Sequence, residues 1–140
     1  SDPAKFNGRL ARDQGKLPWP VTGPVLGRFG EPRGQTDVPW RGVVISASPG
    51  TPVRAIAPGK VIFADILRGF GYMIIVDHGE NYMSLYGYNE KLLKKLGDRV
   101  ERGEAVGHVG IAPTLTQPGL YFELRYQGQP VDPVRWFAQR

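Results

Sequence analysis

The sequence has no cysteine, and only two methionines and two histidines, in 140 residues. The missing cysteines exclude disulfides, thiolate metal sites and a cysteine nucleophile, and they leave the redox compartment open. With His78 and His108 alone, a Ser-His-Asp triad has almost nowhere to form, and Ser46, Ser48 and Ser84 sit in no Gly-x-Ser-x-Gly turn. Neither a Gly-x-Gly-x-x-Gly loop nor a Walker A loop is present. No apolar run approaches the ~20 residues of a membrane span, and no signal-peptide pattern opens the chain, which reads as a fragment of a longer protein. Long blocks of like charge are absent too. The 18 Lys+Arg exceed the 13 Asp+Glu by a net +5, and the pI is near 9.7. That balance favours acidic partners. Nucleic acid is not among them, because the basic residues are scattered and no recognition motif accompanies them.

What is present is turn chemistry. The chain carries 19 Gly and 13 Pro, and short apolar runs are punctuated by them every few residues, the pattern of an all-β domain. Strands are expected at Val25–Phe29, Val43–Ala47, Val53–Ala57, Lys60–Leu67, Tyr72–Asp77, Met83–Tyr88, Ala105–Val109 and Leu120–Tyr126, with a short one near Val131. Only Asn89–Lys95 and Pro133–Phe137 read as helical turns. Residues 1–16 have only Phe6 and Leu10 as sizeable apolar side chains and read as a linker or disordered segment. The domain is expected to span 17–140, opening at Leu17-Pro-Trp-Pro20, where flanking prolines hold Trp19 against the body of the fold. The irregular stretch Gly110–Gly119 is expected to border a groove.

One stretch says more. Pro118-Gly-Leu-Tyr-Phe-Glu-Leu-Arg125 alternates as a strand does, with Leu120, Phe122 and Leu124 on one side. Gly119, Tyr121, Glu123 and Arg125 fall on the other. It resembles the His-x-His-Phe-Glu-x-Arg strand of the LytM (lysostaphin-like) zinc metallopeptidases. Further segments match that family in order. Trp40-Arg-Gly-Val-Val44 resembles the His-x-Gly-x-Asp metal motif, and Ala57-Pro-Gly-Lys-Val61 the Ala-x-Gly-x-Val hairpin. Ile75-Val-Asp-His-Gly79 with Met83-Ser-Leu-Tyr-Gly-Tyr88 resembles the strand pair that ends in the catalytic His. The resemblance implies an antiparallel β-sheet domain with a groove, and a hammerhead-like hairpin segment over Gly97–Gly110.

The resemblance also fails at particular places. Trp40 stands for the first ligand His, Val44 for the Asp, Tyr88 for the catalytic His, and Gly119 and Tyr121 for the paired histidines. Zinc needs imidazole or carboxylate donors and an open position for water. These replacements supply neither, so the resemblance implies a degenerate domain with no metal, no cofactor and no catalytic residue. His78 and Asp77 cannot rescue a site, since adjacent strand residues point to opposite faces.

An emptied groove can still bind. Trp40, Val44, Phe70, Tyr86, Tyr88 and Tyr121 give it an aromatic lining, and Arg41 and Arg125 give it carboxylate-seeking cations. The same aromatic residues admit a second reading, in which they simply plug the former metal cavity. Catalytically empty members of the family imply the role: binding and switching on periplasmic N-acetylmuramoyl-L-alanine amidases of the AmiA/AmiB kind, at the division septum. Such proteins dock on the FtsEX complex through an upstream coiled coil, and this chain has no heptads. The alternative is a peptidoglycan-binding module that uses the same groove on a peptide stem.

Overall fold

The computed structural model describes residues 10–111 and 117–140. Ten strands form in them: β1 (Val25–Gly27), β2 (Val43–Ser46), β3 (Pro52–Arg54), β4 (Gly59–Leu67) and β5 (Gly71–Gly79) come first. Then follow β6 (Tyr82–Leu92), β7 (Arg99–Val100), β8 (Ala105–Val109), β9 (Gly119–Tyr126) and β10 (Gln129–Val131). A short 3-10 helix at Pro133–Arg135 follows Asp132, whose carboxylate accepts from the Val134 N–H. The strands join antiparallel in the order β1-β2-β9-β6-β5-β4-β7; β10 adds to β9, and β3 pairs with β8, which pairs with β6. The all-β antiparallel architecture is the expected one.

Alternation puts one face of this sheet in the main core. Val43 and Ile45 of β2, Ile74 and Val76 of β5, and Leu120, Phe122 and Leu124 of β9 are buried there, and Phe122 meets Tyr86 edge-on and Phe137 at 5.3 Å. Two hairpins close on two-residue turns with both central residues left-handed: Glu80-Asn81 (φ 45 and 70) and Gln127-Gly128 (φ 52 and 77). That backbone matches the right-handed twist of the strands it joins.

Two expectations need correcting. Asn89–Lys95 is not a helical turn. β6 runs on through Leu92 because β8 offers it a new partner there, with Asn89 opposite Val109 and Leu92 opposite Gly107. The Leu and Lys spacing looked helical, but a free strand edge decides the backbone. The linker expected over residues 1–16 is not uniform either. Residues 1–9 lie outside the described residues. Residues 10–16 pack on the domain: Leu10 is buried in the core, and the Gly15 N–H donates to the Trp136 carbonyl at 2.9 Å. Trp19 does pack as expected, 4.4 Å from Phe137 with Nε1 donating to the Ala138 carbonyl at 2.8 Å. Of Gly110–Gly119, residues 112–116 lie outside the described residues.

Candidate functional site

The opposite face of β2, β9 and β6 carries a second, smaller cluster. Val44 sits opposite Tyr121 across β2 and β9, and Tyr121 sits opposite Gly87 across β9 and β6. Opposed residues share a face, so these three are brought together by register alone. Tyr88 joins them, and Trp40 and Phe70 close the group from the sides. Trp40 and Phe70 lie 5.8 and 5.1 Å from the Tyr121 ring, and Tyr88 lies 5.9 Å from it. Trp40 can lie flat because Gly27 is beneath it: a Cβ there would come within 2.7 Å of the indole nitrogen. Phe70 sits at the tip of the β4–β5 hairpin between Gly69 and Gly71, both left-handed, and stacks on Tyr88 at 6.1 Å.

Tyr88 reaches this face against its parity. Tyr86 and Tyr88, two apart, should share a side, and Tyr86 faces Phe122 in the main core. However, Tyr72 pairs with Asn89 and Ile74 with Tyr86, so Gly87 and Tyr88 together oppose Met73 alone. This bulge puts Tyr88 at φ 68 and turns its ring to the other face. The Tyr88 N–H donates to the Phe70 carbonyl at 2.6 Å, and the Gly110 N–H to the Tyr88 carbonyl at 2.8 Å, which hold the bulge in place. Tyr86 is therefore a correction: it does not line the groove but is fully buried in the core, where its hydroxyl accepts from the Ile56 N–H at 3.1 Å.

The polar groups of the cluster differ in how they are satisfied. Tyr121 donates to Glu123 at 2.5 Å, and Arg125 Nε donates to the other Glu123 oxygen at 2.7 Å. Glu123 is thus a buried carboxylate held by a phenol and a guanidinium. Burial, and then the neighbouring carboxylate as hydrogen-bond acceptor and charge, push the Tyr121 phenol well above its ordinary range. Arg33 stacks over Trp40 at 4.7 Å, and Arg41 is exposed with no partner among the described residues. The Tyr88 hydroxyl is buried and makes no hydrogen bond among the described residues.

Of the residues singled out in the sequence, the structure joins Trp40, Val44, Phe70, Tyr88 and Tyr121 in one cluster. Arg125 reaches it through Glu123, and Tyr86 is excluded. The lining is fuller than a groove needs: Val44, Tyr88 and Tyr121 are buried, while Trp40 and Phe70 remain partly exposed. Three contributors escaped sequence reasoning. Glu123 was visible as an acid on the right face, yet its clamp on Tyr121 follows from i, i+2 spacing along one strand. Arg33 lies in a loop with no pattern to read, and Gly27 shows its purpose only once the indole is placed over it.

The cluster does not fit zinc. Its members offer an indole, a valine and two phenols, and the phenol nearest a carboxylate is held neutral. Glu123, the nearby carboxylate, already serves Tyr121 and Arg125. Among the described residues no three His, Cys, Asp or Glu groups come together as a metal set. His78 is far from such a role: Nδ1 donates to the Pro58 carbonyl at 2.7 Å, and Nε2 lies 2.6 Å from Ser84 Oγ. Burial lowers its pKa from 6.5 to about 4, against the raising effects of Pro58 and Asp77, so it is neutral.

A β-sheet of this order, with an aromatic group where LytM enzymes are expected to hold their metal, is the fold of that peptidase class. The sequence pattern of Peptidase family M23 matches residues 38–133, more than half of the chain, and the chain belongs to that family. It is 46% identical over 132 residues to the murein hydrolase activator EnvC of Escherichia coli (strain K12), covering 94% of this chain and 31% of that protein. It is 37% identical over 123 residues to a lipoprotein NlpD/LppB homolog of Pseudomonas aeruginosa, covering 87% of this chain and 40% of that protein. The chain thus spans about a third of the curated relatives it matches. Among solved structures, a zinc-containing peptidase from Vibrio cholerae superposes with a TM-score of 0.79 at 25% identity, over 90% of this chain and 41% of that one. The catalytic domain of lysostaphin from Staphylococcus simulans superposes at 0.69 and 28% identity, over 76% of this chain and 85% of that one.

Proposed function

We propose that this domain is a murein hydrolase activator that acts by binding and not by cleaving. One observation carries the reading: the positions expected to hold the metal are filled by Trp40, Val44, Tyr88 and Tyr121, which pack on one another. Water activation needs a metal that this donor set does not fit. What the surface offers instead is two partly exposed aromatic rings, Trp40 and Phe70, with Arg33 over Trp40 and the exposed Arg41 next to it in sequence. Aromatic and arginine side chains in this arrangement dominate protein interfaces. Relatives named as murein hydrolase activators, EnvC and NlpD, agree with the reading.

The partner best suited to this surface is a periplasmic N-acetylmuramoyl-L-alanine amidase that presents an amphipathic helix. Its apolar face would lie on Trp40 and Phe70, and its acids would meet Arg41 and Arg33. A domain that binds the open amidase better than the closed one shifts its population toward activity. The envelope, and the septum in particular, is where such work would occur, with the FtsEX complex engaged through a coiled coil outside this chain.

The test is dye release from labelled murein by a purified amidase, with and without the domain, and with the domain alone. Stimulation without release by the domain alone supports the reading, whereas chelator-sensitive release by the domain alone overturns it. Sedimentation with purified sacculi and no stimulation would favour a wall-binding module. Arg41→Glu is the cleaner surface variant, because Arg125 also neutralises Glu123. It is expected to raise the half-maximal stimulating concentration at least tenfold, about 1.4 kcal/mol.

A further inference from the structure

The two phenols of the cluster are unequal. Tyr121 has an acceptor in Glu123, while the Tyr88 hydroxyl, equally out of solvent, has none among the described residues. A buried donor without an acceptor is costly, and a native fold leaves few of them. The same residue carries a second cost, a left-handed backbone at φ 68 on a large side chain. The bulge that imposes it is what aims the ring into the cluster; without it Tyr88 would follow Tyr86 into the core. Two costs on one residue, both incurred in putting a hydroxyl where no described residue answers it, point to something outside the fold.

We infer that the Tyr88 hydroxyl is a specificity-determining donor that takes a carboxylate from an acidic side chain of the bound protein partner. This rests on the reading of the cluster as a partner surface and names the chemistry recognised there. Three features select a carboxylate. The hydroxyl can donate to it, Arg33 stands 4.7 Å over Trp40 in the same cluster, and Arg41 is exposed with no partner among the described residues. The aromatic walls supply the low-dielectric surroundings in which one charged hydrogen bond discriminates strongly. Access comes through Phe70. It is the member of the cluster borne on a hairpin tip, it sits between two left-handed glycines, and a Cβ at Gly69 would meet nothing within 4 Å. Such access requires the Phe70 side chain, partly exposed and stacked on Tyr88, to swing aside while its carbonyl keeps the Tyr88 N–H.

The test is Tyr88→Phe, read in two ways. In the free domain the change removes an unanswered hydroxyl, so the thermal midpoint is expected to hold or rise. In titrations of a purified amidase on labelled murein, the half-maximal stimulating concentration is expected to rise about tenfold, with maximal stimulation retained. Opposite signs in the two readouts are the signature of a donor kept for a partner. A lower midpoint in the free domain would overturn the inference, since the hydroxyl would then be serving the fold. Unchanged stimulation by Tyr88→Phe, with Arg41→Glu impaired, would overturn it while leaving the surface reading intact. If neither variant alters stimulation, the surface reading itself fails. If Tyr88→Phe weakens sedimentation with purified sacculi and spares amidase stimulation, the acceptor belongs to the wall, and a protein acid is ruled out.

Discussion

Tyr86 and Tyr88 are two residues apart on one strand, both buried, and their hydroxyls meet opposite fates. The Tyr86 hydroxyl lies 2.7 Å from Ser84 Oγ, which lies 2.6 Å from His78 Nε2. Because the Pro58 carbonyl can only accept, Nδ1 of His78 carries the proton and Nε2 accepts from Ser84. That leaves Tyr86 to donate to Ser84 and to accept from the Ile56 N–H, so every group along the line is used. On the other face, Tyr88 has an apolar neighbourhood and no answering group among the described residues. The contrast separates two uses of a buried phenol. One completes a polar chain that fixes the core, and the other is held ready at a cost to the fold.

Perturbing the core face should hurt stability most. Phe122→Ala is expected to cost about 3–5 kcal/mol in chemical denaturation, because it empties the centre of the main cluster. Acid should act through His78. The unfolded chain takes up that proton near 6.5 and the folded one only near 4, so the stabilisation is complete above 6.5 and is lost as pH falls through this window. The loss should approach about 3 kcal/mol in urea melts taken from pH 7 to pH 4, and His78→Gln should flatten the slope. On the outer face, Arg125→Met leaves Glu123 with Tyr121 as its remaining partner and should cost about 1.5–3 kcal/mol. Tyr86→Phe orphans the Ile56 N–H and should cost about 1–2 kcal/mol by the same measurement. Tyr88→Phe should cost nothing. If the two tyrosine variants destabilise equally, the distinction between the faces collapses.

Much of this was legible in the sequence. Strict alternation in Leu120-Tyr-Phe-Glu-Leu-Arg125 assigned each side chain to its face, because a strand has only two. Trp40, Val44 and Tyr121 could be brought together on paper through the family pattern, and the structure does bring them together, Val44 and Tyr121 by register and Trp40 by ring contact. Tyr86 failed for an instructive reason. A bulge adds one residue and reverses parity beyond it, and nothing in Tyr86-Gly-Tyr88 announces one except the glycine. The burial of Leu10 was equally unreadable, since a single leucine in polar surroundings looks the same whether or not a surface awaits it.

The two ends of the described fold are stitched to each other. Leu17 and Phe137 form a parallel bridge; the Leu17 N–H donates to the Trp136 carbonyl at 3.1 Å, and the Ala138 N–H to the Leu17 carbonyl at 2.8 Å. Trp19 adds its indole bond to Ala138, and Arg140 lies 3.8 Å over the Trp19 ring. Since the chains run the same way at this seam, tension applied to both ends slides them past one another instead of peeling them apart. The hydrogen bonds must then yield together, which is the mechanically strong direction. A domain sewn in this way can carry a load between its ends while the aromatic cluster on the other face of the sheet stays undisturbed.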